Sequence, residues 1–209
     1  DRVARLTAYQ NEAYAKSYSD KIAALRAADT HPDQHLTKAA ARYLYKMMAI
    51  KDEYEVARLY TDGAFAAALS AQFDGDYTLS YHLAPPLFSR ADPVTGRPKK
   101  ARYGGWVKPV MSVLAGLKGL RGTAFDLFGY TAERRTERAA LARYEDLLAQ
   151  ITSRLTDDCY EAAVKLASVP EHIRGFGPVR AAHLAEADKQ YAAAQEAFDN
   201  ALSAHRDTA

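Results

Sequence analysis

Four stretches of the chain, each at least 25 residues long, contain neither proline nor glycine: residues 2–28, 37–61, 131–155 and 179–205. Apolar residues recur in them at steps of three and four, the spacing that places side chains on one face of an α-helix. In the first stretch this face consists of Leu6, Tyr9, Ala13, Tyr14, Ser17, Tyr18, Ile22 and Leu25. Alanine, the strongest helix former, occupies 42 of the 209 positions. These features predict a predominantly helical fold.

Turn-forming residues mark the predicted helix ends. The cluster over residues 29–33 ends the first helix, and Thr37 is the expected N-cap of the second. We expect two surface ion pairs on the second helix, Lys51–Glu55 and Arg58–Asp62, because each pair is four residues apart. Shorter helices are predicted over residues 64–72, 106–117 and about 159–168.

The middle of the chain has a different pattern. Residues 77–83 alternate in polarity and contain β-formers, which predicts a strand, and residues 99–103 are the expected return strand. The glycine-punctuated loop over residues 119–129 is expected to turn its two phenylalanines, Phe125 and Phe128, inward.

The expected fold is therefore mainly α, a multi-helix domain with a small antiparallel β hairpin in the middle. Residues 1–28 form an N-terminal helix that leads in from an upstream domain. Residues 29–178 form a helical core with the hairpin near 77–103, and residues 179–209 form a C-terminal helix, all within one domain. Because the chain begins at Asp1 rather than at methionine, we expect a processed product or a piece of a longer polypeptide.

Charge is unevenly distributed along the chain. The net charge is only +2, which does not define a nucleic-acid-binding protein, yet no acidic residue occurs between positions 93 and 125. The predicted anion- or partner-binding residues come from this basic segment and the neighbouring strand: His82, Arg97, Lys99, Lys100, Arg102 and Arg121. The same segment is also consistent with a solvated edge, a contact to an acidic partner, or an RNA-backbone site with Tyr103 and Trp106.

Other chemistry finds little support. The single cysteine, Cys159, excludes an internal disulfide and any cysteine-held cluster within this chain. The histidines are scattered, and His31 and His35 lack a convincing set of metal ligands around them. We therefore expect no catalytic residue, no metal and no bound cofactor in this chain. No apolar run approaches a membrane span and no signal-peptide pattern is present, so a cytoplasmic location is expected.

Five segments together resemble one protein family. They are LTAYQNEAYAKSY (6–18), KDEYEVARLYTDGAF (51–65), FDGDYTLSYHLAPPLFSRADPVTGRPKK (73–100), LKGLRGTAFDLFGYTAERRTER (117–138) and IRGFGPV (173–179). In this order they resemble the C-terminal region of fused indolepyruvate ferredoxin oxidoreductases, and the resemblance extends over essentially the whole chain.

The resemblance implies an accessory domain of a larger enzyme. That enzyme would oxidatively decarboxylate aryl 2-oxoacids to acyl-coenzyme A, with thiamine diphosphate, Mg²⁺ and iron–sulfur clusters held by upstream domains. Implied partners are the upstream catalytic domains, ferredoxin, coenzyme A and further copies of the full enzyme, with neither membrane nor nucleic acid. The alternative is a stand-alone helical adaptor or an anion- or RNA-binding module.

Overall fold

The structure, a computed structural model, describes residues 1–84 and 99–208 and confirms a mainly helical fold with a small hairpin. The helices in this part of the chain are α1 (Arg2–Tyr9), α2 (Glu12–Ala28), α3 (His35–Met48), α4 (Glu53–Thr61), α5 (Ala64–Gln72), α6 (Val107–Gly116), α7 (Ala132–Arg154), α8 (Tyr160–Ser168) and α9 (Pro178–Thr208). The strands are β1 (Tyr81–Leu83) and β2 (Ala101–Tyr103), which pair antiparallel. Two 3₁₀ turns span Leu117–Leu120 and Val169–His172.

The first two predicted long helices are each divided in two, so both predictions of continuous helix were wrong. Asn11 is the N-cap residue of α2, and its side-chain oxygen accepts a hydrogen bond from the Tyr14 amide at 2.8 Å. Asp52 caps α4 in the same way and accepts from the Glu55 amide at 2.8 Å. Side-chain capping thus starts a new helix at positions where the sequence contains neither proline nor glycine.

The start of α3 also differs from the prediction. Gln34 occupies the N-cap position, and Thr37 lies inside the first turn. The Thr37 amide and hydroxyl both donate to Oδ2 of Asp29, at 2.9 and 2.7 Å. Asp29, which immediately follows α2, therefore satisfies one of the amides at the start of the next helix that have no partner within the helix.

The chain divides into two compact units, residues 1–49 with 132–209 and residues 50–131. Unit 1 contains α1, α2, α3, α7, α8 and α9 around a shared apolar core. Its largest fully buried side chains include Leu6, Leu25, Leu36, Leu44, Met48, Tyr144, Ile151, Leu166, Ile173 and Phe198. The predicted N-terminal and C-terminal helical segments both belong to this unit. The expectation of a single domain overall stays a prediction.

Two tyrosines of unit 1 connect helices through hydrogen bonds to backbone carbonyls. The Tyr18 hydroxyl donates to the Ala41 carbonyl at 2.8 Å, and the Tyr144 hydroxyl donates to the Ala167 carbonyl at 2.7 Å. Burial raises the pKa of Tyr144 well above its ordinary value. These rings fill the core while their hydroxyls find backbone acceptors, as buried tyrosines require.

Unit 2 is built on α4 packed against α6, with the hairpin beside them. Its core consists of Ala57, Tyr81, Val107 and Met111. The hairpin register pairs Tyr81 with Tyr103 and His82 with Arg102. Because side chains alternate between the faces of a strand, the buried Tyr81 and the exposed His82 point to opposite faces. The strands are shorter than the predicted spans of 77–83 and 99–103.

None of the helices described here is both long enough and apolar enough to cross a membrane.

Candidate anion-binding groove

Unit 2 contains a groove of about 390 Å³ between the start of α4, the hairpin and α6. Three cationic or ionisable nitrogen side chains line it: Lys51, His82 and Lys100. Two acidic residues, Asp52 and Glu53, also line it. The remaining lining residues supply a largely apolar surface: Val56, Ala57, Tyr60, Leu83, Ala84, Met111, Leu114 and Phe128.

The hairpin brings two of the predicted site residues to this groove. His82 lies in β1 and Lys100 immediately precedes β2, so antiparallel pairing places both beside the groove although 18 positions separate them. Both side chains are exposed. A solvent-accessible imidazole next to a lysine offers an incoming anion both charge and hydrogen-bond donors.

Two further predicted residues lie on the same hairpin but outside the groove lining. Arg102 is directly opposite His82 in the register, and its Nε donates to the Ser80 hydroxyl at 3.0 Å. Lys99 is exposed at the approach to β2. These two residues extend the positive charge along the hairpin. Arg97, also predicted for this site, lies outside the described residues.

Arg121 has a different environment from the one predicted. Its Nε lies 2.5 Å from Oδ2 of Asp52, and its Nη2 donates to Oδ1 at 2.8 Å. The two side chains are only 11% and 4% exposed. Arg121 therefore forms a buried ion pair with Asp52, and it neutralises this one of the two carboxylates in the groove lining.

Lys51 is a groove residue that the sequence does not predict. Periodicity places it on the surface of a continuous helix, whereas it lies between α3 and α4 and lines the groove. The expected Lys51–Glu55 pair is replaced by a contact between Glu55 and Arg58, while the Arg58–Asp62 pair is confirmed at 3.0 Å. The missed signal was the Asp52-Glu53-Tyr54-Glu55 run, which has the spacing of a helix N-terminus.

The loop that follows α6 is organised around the buried Asp126 carboxylate. It accepts hydrogen bonds from the amides of Gly122 and Gly129, at 2.9 and 3.0 Å, and from the Tyr54 hydroxyl at 3.1 Å. Burial, followed by the nearby Asp126 charge, raises the pKa of Tyr54 to about 12. These contacts fix the loop to the first turn of α4.

The two phenylalanines of this loop behave differently. Phe128 is partly buried and contacts Tyr54 edge-on, with ring centroids 5.4 Å apart. Phe125 is 75% exposed, so the prediction that it turns inward was wrong. The hydrogen bonds to Asp126 set which side chains of the loop can reach the interior.

Metal ligation is not supported by the described part of the chain. Over residues 1–84 and 99–208, no three His, Cys, Asp or Glu side chains come together as a metal site requires. Cys159 is fully buried, and its Sγ accepts from the Thr156 amide at 3.2 Å.

Comparison with protein families places this chain in a wider group. A family model matches residues 1–193, which include both compact units except for the end of α9. The chain belongs to DUF6537, a family of unknown function. No curated protein and no solved structure matches it. The groove of this DUF6537 chain lies wholly within the matched residues.

Proposed function

We propose that this DUF6537 chain is a helical accessory domain of a thiamine-diphosphate- and iron–sulfur-dependent 2-oxoacid:ferredoxin oxidoreductase. Its role is to bind an anionic partner at the unit 2 groove, while turnover takes place in upstream domains of a longer polypeptide. The enzyme class rests on the resemblance of five ordered segments to fused indolepyruvate ferredoxin oxidoreductases. The binding role rests on one observation, the convergence of Lys51, His82 and Lys100 at the groove.

The composition of the groove supports an anion that also carries an apolar portion. The cations line one part, and the side chains of Met111 and Leu114 supply apolar contact. Asp52 adds little repulsion because Arg121 neutralises it. The phosphates of coenzyme A and the carboxylates of an acidic ferredoxin both suit these cations. Exposed positive charge increases the rate of encounter with such partners, and salt weakens the effect.

The test uses the full-length polypeptide that carries this chain. Lys51, Lys99 and Lys100, which include both lysines of the groove, are changed together to glutamine, and the apparent KM for ferredoxin and for coenzyme A is measured at low and high salt. We expect one of the two KM values to rise about tenfold at low salt, with a smaller rise at high salt. Which KM rises identifies the partner.

The matched control removes the same amount of charge from unit 1. Arg26, Lys38 and Lys165 are exposed there, and their change to glutamine should leave both KM values unaltered. If neither KM changes in the triple-lysine variant at low salt, the anion-binding role is wrong. If the native polypeptide contains neither thiamine diphosphate nor iron–sulfur clusters, the enzyme class is wrong.

The absence of thiamine diphosphate and iron–sulfur clusters would favour the stand-alone adaptor or RNA-binding alternative. Its supporting observation is Trp106, which is 66% exposed and contacts Tyr103 with ring centroids 5.8 Å apart, beside the basic hairpin. A gel shift with single-stranded RNA that weakens steeply as salt increases would support that alternative.

A further inference from the structure

Three basic side chains of unit 1 lie around the 3₁₀ turn Val169–His172. Arg42 and Lys46 are four residues apart on α3, so they lie on the same face of that helix. Arg174 comes from the distant segment that follows the 3₁₀ turn. These three residues are here called the unit 1 basic cluster. They all belong to unit 1, whereas the groove described above belongs to unit 2.

Two nitrogen atoms of the cluster bind the same backbone oxygen. Nζ of Lys46 donates to the Pro170 carbonyl at 2.8 Å and to the Glu171 carbonyl at 3.0 Å. Nε of Arg174 donates to the same Glu171 carbonyl at 3.4 Å. The separation of the two nitrogens therefore cannot exceed the sum of their distances to that oxygen. The carbonyls satisfy some of the donors, but they do not neutralise the two positive charges.

The charges around Lys46 are mostly of the same sign as its own. Burial is the largest cause that lowers the pKa of Lys46, and the guanidinium groups of Arg180 and Arg174 are the next largest. The Glu171 carboxylate acts in the opposite direction, and Arg42 lowers the pKa further. The half-buried ammonium of Lys46 therefore lies in a region of positive potential.

The cluster lacks the carboxylates that neutralise other partly buried cations of unit 1. Lys21 pairs with Glu145 at 3.4 Å, and Nη2 of Arg180 donates to Oε2 of Glu137 at 2.8 Å. Over residues 1–84 and 99–208, no carboxylate oxygen lies within 4.0 Å of a charged nitrogen of the three cluster residues. The charge of Arg180 is thus matched, and the charges of the cluster are not.

A purely structural explanation accounts for only one member of the cluster. Lys46 fixes the 3₁₀ turn through its two carbonyl contacts, and this role needs a single ammonium group. Two further cations beside it oppose that role, because like charges close to a partly buried ammonium raise its energy. An anion bound among the three side chains would remove this repulsion.

We propose that the unit 1 basic cluster binds a phosphate group. Three cations and the nearby Glu171 carboxylate leave two positive charges unmatched, and a phosphate monoester carries about −1.5 to −2 at pH 7. Lys46 keeps one of its three N–H donors after binding the two carbonyls. Arg42 and Arg174 are exposed, and the planar guanidinium group matches two phosphate oxygens at once.

This site goes beyond the proposed function, because it lies in unit 1 and takes no part in the groove. The experiment measures hydrogen exchange of residues 35–48 and 166–180 in the full-length polypeptide, titrated with inorganic phosphate. The triple-lysine variant of the groove serves as the background, so that anion binding in unit 2 does not contribute. We expect phosphate to slow exchange in both segments, and chloride at the same ionic strength to have a much smaller effect.

The variants that test the cluster are its two exposed arginines. Arg42→Gln and Arg174→Gln should each increase the apparent Kd for phosphate about tenfold, because each removes charged donors. Arg174→Lys should have a smaller effect, since it retains the charge without the fork of donors. The matched control is Arg26→Gln, an exposed arginine on α2, which should leave the Kd unaltered. Lys46 is left intact because its loss would release the carbonyls of the 3₁₀ turn.

Two further probes identify the source of the phosphate group. Glycerol 3-phosphate that slows exchange as inorganic phosphate does, without binding to vesicles, indicates a soluble phosphate ester. Co-sedimentation with vesicles that contain phosphatidic acid, lost in Arg174→Gln, indicates a lipid headgroup. Equal effects of phosphate and chloride, or an unaltered Kd in both arginine-to-glutamine variants, would overturn the proposal. The KM measurements on the groove test the proposed function separately, because they do not involve these arginines.

Discussion

The Asp52 carboxylate binds the Arg121 guanidinium through two contacts, Oδ2 to Nε at 2.5 Å and Oδ1 to Nη2 at 2.8 Å, although 69 positions separate the residues. Oδ1 also accepts from the Glu55 amide at 2.8 Å, so the same side chain caps α4. The Arg121 guanidinium carbon lies 5.3 Å from the Tyr54 ring centroid. One buried ion pair thus joins the loop after α6 to the start of α4 and shapes one side of the groove.

Removal of Arg121 should destabilise unit 2. The change Arg121→Met leaves Asp52 buried without its cation, and such a loss typically costs about 3–5 kcal/mol. We expect a decrease in the free energy of unfolding of this size, measured by urea denaturation with hydrogen exchange of residues 50–84 and 99–131 as the local readout.

The control is Lys99→Met, which removes an exposed charge and should change stability by less than about 0.5 kcal/mol. The double variant Asp52→Asn with Arg121→Met should be more stable than Arg121→Met alone, because asparagine retains the helix cap without a buried charge. A double variant as unstable as the single one would contradict the ion-pair explanation.

The raised pKa of Tyr54 predicts a loss of stability at high pH. The ordinary tyrosine pKa is 10.0, and the folded value is about 12, so the folded state retains a proton that the unfolded chain loses. The contribution of Tyr54 is complete below pH 10 and is lost as the pH rises towards 12. The stability advantage of the native chain over Tyr54→Phe should therefore shrink between pH 10 and 12.

Urea midpoints of both proteins, measured from about pH 9 upwards, test this expectation. The other tyrosines with raised pKa values are present in both chains, so their effects cancel in the difference. An advantage that stays constant over the whole range would show that Tyr54 does not exchange its proton differently in the two states.

Periodicity was sufficient to predict most of the helices and the hairpin. The α5 bounds, residues 64–72, agree with the sequence prediction, and α6 differs by one residue at each end. The breaks before α2 and α4 were missed because the prediction relied on proline and glycine as helix terminators. Asn11 and Asp52 interrupt the helices through side-chain capping, a local effect that their residue types do signal.

The candidate site was only partly predictable. The strand pattern brought His82 and Lys100 to one hairpin, and the structure places both at the groove. Counting charges along the sequence did not reveal that Arg121 is paired, because Asp52 lies 69 positions away. Such long-range pairing depends on how α4 and the loop after α6 pack, and this packing is determined by tertiary contacts rather than by local sequence.

Asp29 should be more important for stability than its place in a turn suggests. It is 2% exposed and accepts two hydrogen bonds from Thr37. We expect Asp29→Ala to lower the free energy of unfolding by about 1–3 kcal/mol, because the amide and hydroxyl of Thr37 lose their acceptor. Asp33→Ala is the matched control in the same turn, where the side chain is 67% exposed. Equal effects of the two changes in urea denaturation would disprove the capping role.

The turn before α9 permits a comparison between two glycines. Gly175 and Gly177 both have positive φ angles, +83° and +57°, which residues with a Cβ adopt at a cost of about 1–2 kcal/mol. A Cβ at Gly175 would also lie 2.7 Å from Cγ1 of Val179 and 3.2 Å from its Cβ, whereas a Cβ at Gly177 meets nothing within 4 Å. We therefore expect Gly175→Ala to be more destabilising than Gly177→Ala in thermal unfolding.

The steric part of this difference can be isolated with a third substitution. Because Val179 is 43% exposed, Val179→Ala should itself cost little, and it removes Cγ1, the atom closest to the new methyl group. In the Val179→Ala background, the cost of Gly175→Ala should approach that of Gly177→Ala, since backbone strain is then the main remaining term. A cost of Gly175→Ala that is the same in both backgrounds would show that strain alone determines the turn, and that the contact with Val179 does not limit which residue can occupy position 175.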